Sequence, residues 1–503
     1  MSIRSMDRIG SLQGELVKKS SSESVTFSKT LVAQSVSAAL LASATGGVAA
    51  QEIEEVIVTA TKRSENIQDV PLAITAMAGD FVRDVNLDNI KDLVTFTPGV
   101  TGNSTDAFID GISVRGIRTQ DFGVGGDPSA AFFKNNLYEG RNGAVVTSLY
   151  DLERAEVLRG PQGFLFGRNA IGGAFSVHTK RPTLDGGSDG LVEVDVAERS
   201  HVTIEAATNI GISENFALRV AGYHSSEDGY ARNDFDGRDY LGHEKTAARI
   251  SGLWSSGDAE VFATFEYEDM DRDGSVYRVN LLSPRVDDAE SILGSFDMPA
   301  DPRGFNSDLF EGSGDDAQIL TLGLHVDYDF ENVALSWSSG YKDHDYFYSE
   351  DYDGTPRNLG VYQQTQSGDY LQSELRLTSN TDGPLSWYAG VSVYEENIDY
   401  HVLSSLEEEA ICAYYGYYYG VDNCADYFAY WDYYYPDWTV GPFVPTQNGM
   451  MEENTFVKGK YSGWAAYVDL TMSFGEMWDV SVGVRHTYDK KTFSTRVPKP
   501  DST

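Results

Sequence analysis

The sequence predicts a mainly β chain, a transmembrane antiparallel β-barrel preceded by a small α+β domain. Three observations predict it. Beyond Gly186, segments such as "LVEVDVAERS", "HVTIEAATNI", "ENVALSWSSGY" and "GWAAYVDLTMSF" alternate apolar and polar residues with a period of two. The connections between such segments are short and long in turn, the pattern of a barrel that crosses a membrane. No run of about eighteen apolar residues is present to make a membrane helix, and barrel strands need none.

Of 503 residues 41% are apolar, with 49 glycines and only 15 prolines, a composition that packs a core rather than staying disordered. Acidic residues number 77 against 38 basic ones, for a net charge of −39. Phosphate would be repelled, so no nucleic-acid partner is expected, and the acidity reads as a solvated surface. The eight histidines are scattered and neither HExxH nor GxSxG occurs. The sequence therefore offers no catalytic residue, no metal ligand set and no cofactor site, and an enzyme is not expected.

In chain order, residues 1–50 read as a signal peptide. Arg4, Arg8, Lys18, Lys19 and Lys29 precede "LVAQSVSAALLASATGGVAA", a weakly apolar run ending in small residues before Gln51. The competing reading is an amphipathic helix of the folded chain. Residues 51–69 read as a tether around the β-competent run Val56-Ile57-Val58-Thr59, which can add to the sheet edge of another protein or form an edge strand of the next domain. Residues 70–183 read as the α+β domain. There "NLDNIKDLVTFTP" has helical spacing at Leu87, Ile90, Leu93 and Val94, and "SVRGI", "FFKNNLYEG", "RAEVLRG" and "GGAFSVHTK" read as short strands. Gly160, Gly163, Gly167, Gly172 and Gly173 crowd one stretch that requires tight turns or close backbone approach; neither GxGxxG nor a P-loop is present.

Residues 184–503 read as barrel. Strands are expected near 189–198, 201–212, 216–228, 244–255, 260–270, 317–330, 333–345, 368–379, 384–400, 459–474 and 477–494. A soluble β-sandwich would alternate similarly but would not make every second connection long. Eleven is an odd count, and lipid tolerates no open sheet edge, so this region reads as part of a larger barrel or as a truncated product. "DMDRDGS", Asp269 to Ser275, opens like a calcium loop but places Asn280 at its twelfth position, so a solvated acidic loop is expected. The aromatics of "KDHDYFYSEDYDG", Lys342 to Gly354, are expected in an interfacial girdle. The chain's two cysteines, Cys412 and Cys424, read as a disulfide stapling one loop of an exported protein. Around them "AYYGYYYGVDNCADYFAYWDYYYPDW" holds ten tyrosines and two tryptophans. A self-packed aromatic cluster, a ligand-gripping surface built on Tyr417, Tyr418, Tyr419, Tyr430, Trp431, Tyr434 and Trp438, and a self-association surface all remain open.

"EEVIVTATKR", Glu54 to Arg63, resembles the TonB box of TonB-dependent outer-membrane receptors. "ISVRGIRTQ", Ile112 to Gln120, and "LYDLERAEVLRGPQGFLFGRNAIGGAFSVHTKRPT", Leu149 to Thr183, resemble the plug domain of that family. The plug motifs fall on Arg115, Gly116, Arg159, Gly160, Gly163, Gly167, Arg168, Gly172 and Gly173. One departure is "FFKNNLYEGR", where Asn135-Asn136 stand at a turn that carries Asp-Gly in many family members. The resemblance implies a 22-stranded barrel closed by the plug, of which this chain carries about the first eleven strands. It implies plug arginines, Arg115 and Arg159 among them, paired with carboxylates of the barrel wall. It also implies outer-membrane location and energised uptake of a scarce extracellular ligand. The periplasmic domain of TonB, driven by its inner-membrane complex, would take Glu55, Val56, Ile57, Val58, Thr59 and Ala60 as an added strand. A ferric siderophore is the family's commonest cargo; carbohydrate, cobalamin and a non-functional truncated receptor are the alternatives.

Overall fold

Residues 57–58, 65–68, 70–102, 111–119, 123, 125–141, 148–187, 189–279, 299–309, 313–381, 383–436, 443–446, 448–475 and 477–498 are described by the structure, a computed structural model. The expected signal peptide, residues 1–50, lies outside them, as does Asn280 of the acidic loop.

A small sheet comes first along the chain, built from β1 (Ile74–Ala78), β2 (Ala130–Lys134), β3 (Leu137–Tyr138), β4 (Leu152–Arg159) and β5 (Gly173–Thr179) in the spatial order β1-β4-β5-β2-β3. β5 is central and all seven of its residues are buried, so "GAFSVHT" shows no clean alternation. Its polar members satisfy each other, Ser176 Oγ lying 3.1 Å from His178 Nε2. Phe132 of β2 stacks on Phe175 of β5 at 4.8 Å between ring centroids. Ile90, Leu93, Val157 and Val177 complete this core. The helical spacing of 86–98 is realised as a 3₁₀ helix, Ile90–Val94, after α1 (Gly79–Asp84). Asn89 caps it, accepting from Lys91 N, while the Asp92 carboxylate accepts from Asn89 N. The turn at Asn135-Asn136 forms despite the missing Asp-Gly, both residues taking positive φ of 49° and 64°.

Eleven further strands form one antiparallel meander: β6 (Gly190–Val196), β7 (Val202–Ser213), β8 (Phe216–Glu227), β9 (His243–Ser256), β10 (Ala259–Arg272), β11 (Asp315–Asp329), β12 (Val333–Asp351), β13 (Val361–Ser379), β14 (Leu385–Glu407), β15 (Met450–Phe474) and β16 (Trp478–Arg496). Each pairs with the next in sequence, and among the described residues β6 and β16 are not paired with each other. Short turns close one rim and long connections the other. One face of this wall is apolar and exposed, carrying Val220, Ile250, Phe265, Leu322, Leu375 and Val391. The opposite face buries Arg219, Arg249, Glu266, Glu268, Lys342 and Glu396. That is the inverse of a soluble protein and the arrangement lipid requires.

The strands on the long-connection side run further than the alternation predicts. β14 spans 23 residues, about twice the 9–11 that cross a bilayer. Its outward face changes from Leu385, Val391 and Val393 to Glu395 and Asp399. Lys460 and Lys458 of β15 bond these two carboxylates at 2.8 and 3.1 Å, which marks where the apolar belt ends. The expected aromatic girdle at 342–354 is corrected for Tyr346 and Tyr348, while Phe347 keeps the outward phase and Tyr352 is exposed. Tyr346 and Tyr348 share the buried phase of β12 with Lys342 and His344 and pack on Met270, Ala317 and Ile319. Period-two alternation fixes which residues share a face but not which face meets lipid, and Lys342 settles it by pointing inward.

Candidate functional site

The small domain sits inside the curve of the wall, and buried ion pairs run through the contact between them beside aromatic clusters at Tyr150–Tyr223 and Tyr138–Tyr370. Lys134, at the end of β2, places Nζ 2.9 Å from both Glu266 and Glu268 of β10. Tyr150 Oη donates to Glu266 at 2.8 Å, and Ser148 N to Glu268 at 2.7 Å. Asp151, just before β4, accepts from Arg219 of β8 at 2.6 Å and from Arg249 of β9 at 3.1 Å. Glu139 pairs with Lys342 of β12. Arg141 grips Glu396 of β14 with two bonds, 2.8 and 3.2 Å. Arg168 approaches the same carboxylate at 3.6 Å, its guanidinium 3.8 Å from the Tyr394 ring centroid and 5.0 Å from that of Tyr138.

These charges are buried yet partnered. Burial alone would depress the Lys134 ammonium, but Glu266 and Glu268 outweigh it and its pKa is raised. Burial opposes the charge on Arg141 in the same way, and Glu396 raises it. For His178, burial, with Arg154 and His325 beside it, holds the imidazole well below its ordinary value, neutral in the core.

Such an interface can be taken apart. A contact of apolar area costs roughly 25 cal/mol for each Å² exposed on separation. Ion pairs have already lost water on forming, and when parted in a wet lumen both partners regain it, so the net cost of separating them is small. Removing a single partner is different, because the other is left buried and uncompensated.

Residues 66–174 match the family model described as "TonB-dependent Receptor Plug Domain". The chain carries a TonB-dependent receptor plug domain. The chain is 30% identical over 182 residues to the ferripyoverdine receptor of Pseudomonas aeruginosa, a stretch covering 35% of this chain and 22% of that protein. It is also 30% identical over 129 residues to the ferrichrome outer membrane transporter and phage receptor of Escherichia coli, covering 25% of this chain and 17% of the relative. In fold, the chain resembles the ferric yersiniabactin uptake receptor of Yersinia pestis with TM-score 0.62 at 18% identity, covering 85% of this chain and 59% of that one. The matches thus span well under two thirds of these relatives.

Within the plug, the glycine-rich stretch holds the sheet together. Gly160 follows β4 at φ +106°, and a Cβ on Gly173 would lie 2.4 Å from Leu158 O across the β4–β5 pair. Gly163 opens α2 (Gly163–Phe166), Gly167 caps it, and Gly172 donates its N–H to Ser129 O. Arg115 and Gly116 form an exposed turn. The expectation for Arg115 and Arg159 is corrected: among the described residues neither is in an ion pair with the wall. Arg115 lies over Gly160, and Arg159 donates to Pro98 O at 2.8 Å. The wall contacts belong instead to Arg168, Arg141 and Lys134. Asp151 and Glu139 make them with the opposite polarity. Sequence reasoning missed those partners, although an isolated charge in the inward phase of a strand marks each wall residue.

Of the expected TonB box, Ile57–Val58 form a two-residue strand paired with Glu65–Asn66, and Val58 is buried. Glu55, Val56, Thr59 and Ala60 lie outside the described residues. The tyrosine-rich stretch is helical: α3 (Glu408–Gly416), a 3₁₀ turn at Tyr417–Tyr419 and α4 (Cys424–Tyr434) make a cap over the β14–β15 rim. A disulfide joins Cys412 to Cys424, with Cα atoms 4.9 Å apart. Tyr430 lies 4.8 Å from Tyr419 and 4.5 Å from Tyr434, and Trp431 lies 5.5 Å from Tyr419, by ring centroids. Tyr418, Tyr419 and Tyr434 are exposed, Tyr417 is half-buried against Ala413, and Trp438 lies outside the described residues.

Proposed function

We propose that this chain is the plug and wall of an outer-membrane receptor for energised uptake of a scarce extracellular ligand, a ferric siderophore. The observation that carries it is the plug filling the wall's concave side, held by reciprocal buried ion pairs that a pull can exchange for water. The short turns lie in the periplasm and the long connections outside, as in barrels of this type. Residues 1–50 act as the export signal, 51–69 as the tether, 70–183 as plug and 184–503 as barrel wall.

The tether presents Glu55 to Ala60 to the periplasmic domain of TonB, which takes them as an added strand. Strand addition suits a pulling contact, since backbone bonds carry the load and few side chains need matching. The cap, with Tyr417, Tyr418, Tyr419, Tyr430, Trp431 and Tyr434, stands on the outer rim and offers flat rings to a bulky chelate. Relatives named for ferripyoverdine, ferrichrome and ferrioxamine support a siderophore as the ligand. Val58→Pro removes a ladder donor from the added strand. In cells expressing the protein, this variant is expected to bind radiolabelled ferric siderophore at the surface and to lose its uptake. Uptake at the unmodified rate would overturn the assignment of the box.

A further inference from the structure

The cap presents an aromatic face whose charge the proposed function leaves unused. Tyr434, Tyr430 and Tyr419 follow one another at 4.5 and 4.8 Å between ring centroids, and Trp431 lies 5.5 Å from Tyr419. Tyr433 stands edge-on to Tyr434 at 4.9 Å. These five rings form one continuous patch whose outer members meet solvent, Tyr433 being 78% and Tyr434 58% exposed. Asp432 lies between Trp431 and Tyr433 in α4, and Asp426 is one helical turn before Tyr430, which puts both carboxylates beside the rings.

The charge of this face is of one sign. Residues 408–446 hold six acids, Glu408, Glu409, Asp422, Asp426, Asp432 and Asp437, and no lysine, arginine or histidine. Glu408 and Glu409 serve the cap itself, accepting from Thr446 N at 3.1 Å and from Cys424 N at 2.8 Å. Asp422 and Asp426 accept from the neutral Asn423 side chain at 3.0 and 2.8 Å, and Asp432 Oδ1 is buried with no hydrogen-bond partner. The base beside the cap, Arg357, is taken by Glu407 at 2.9 and 3.0 Å. Among the described residues, then, no cation of the chain answers Asp422, Asp426 or Asp432. An organic cation is drawn to ring faces by their quadrupole and to the carboxylates by charge, and over a shared patch the two attractions add. An anion meets only repulsion there, and so does a second copy of the same acidic cap.

We infer that the cap selects a ferric chelate carrying a free organic cation, an alkylammonium or guanidinium, which it seats on Tyr430, Tyr433 and Tyr434 beside Asp426 and Asp432. This rests on the siderophore reading and adds to it the sign of the ligand's charge. Three ferric trishydroxamates with the same iron centre test it. One ends in a free ammonium, one is its N-acetyl form and one its N-succinyl form, so the net charge runs from positive through zero to negative. Equilibrium dialysis of each iron-labelled chelate against detergent-purified protein is the measurement. The ammonium form is expected to bind about tenfold tighter than the acetyl form at about 0.01 M salt, with the succinyl form weakest. That preference should shrink towards equality at about 1 M salt. Asp426→Asn together with Asp432→Asn should remove it by weakening the ammonium form alone. Tyr434→Leu, which keeps apolar bulk and loses the ring face, should narrow it. Resistance of residues 408–436 to limited proteolysis identifies variants whose cap is intact, and the salt series on the unmodified protein decides the matter if they are not. Equal binding of the three chelates, tightest binding of the succinyl form, a preference indifferent to salt, or one that survives in an intact double variant would overturn the inference and leave the receptor reading standing. Binding of none of the three would overturn it too, and uptake of a ferric catecholate then decides whether the siderophore reading stands.

Discussion

Glu396 ties the plug to the wall at two points, because Arg141 and Arg168 both converge on it. Glu396→Ala leaves Arg168 without its carboxylate and Arg141 with Asp127 at 3.6 Å, and is expected to loosen the plug by about 3 kcal/mol. Faster amide hydrogen exchange across Gly163–Thr179, with the wall strands unchanged, is the outcome that checks it. Gly173→Ala acts through shape. Its Cβ would press on Leu158 O at 2.4 Å, so the β4–β5 pair must part, at a cost of about 1–3 kcal/mol in a urea melt. The glycine was legible in the sequence because a crowded run of glycines signals close backbone approach. Glu396 was legible only in part. Outward Val391 and Val393 fix the phase that turns Glu396 inward, but nothing local says that its partner lies 255 residues earlier. The same lack of long-range information put the wall contacts on Arg115 and Arg159 rather than on Arg168 and Arg141.

The cap is the element whose character changed most between sequence and structure. Its tyrosines suggested a loop, yet two helices form, α4 being capped by Asn423, whose side chain accepts from Asp426 N. Repeated tyrosine has neither a helical nor a strand period, so periodicity could not choose. The disulfide closes a loop of 12 residues and should stabilise the cap by about 3 kcal/mol in the chain-entropy account. Cys424→Ser is therefore expected to expose residues 408–436 to limited proteolysis while the wall resists it. The loop between β10 and β11 carries a pH dependence. Burial, reinforced by Asp353, pushes Asp308 up to about 6, above the roughly 3.9 of an unfolded aspartate. Between those values the folded loop holds the extra proton, so its stability is full below about 4 and falls as pH rises to about 6. Hydrogen exchange of residues 299–309 should be slower at pH 4 than at pH 7 after correction for intrinsic rates, and Asp308→Asn should reduce that difference. The remainder rests with Asp351, which accepts from Ser307 and is also raised by burial.

Across the whole molecule, alternation and connection length located all eleven wall strands, because lipid imposes a strict two-residue period on any strand that crosses it. Strand ends beyond the belt were not legible, since β14 and β15 continue past it with both faces polar or mixed. The joint between plug and wall, made of charges from strands far apart in sequence, was the least visible feature. It is also the one on which the proposed function rests, for the plug must leave its seat when pulled. A Cβ built on Gly340 of β12 would lie 2.9 Å from Leu137 Cδ1 of β3, within reach of a cross-link between plug and wall. The most direct measurement is energised uptake of ferric siderophore by cells carrying Leu137→Cys with Gly340→Cys. The account predicts that oxidation abolishes uptake while surface binding persists, and that reduction restores it; full uptake with the cross-link formed would contradict it.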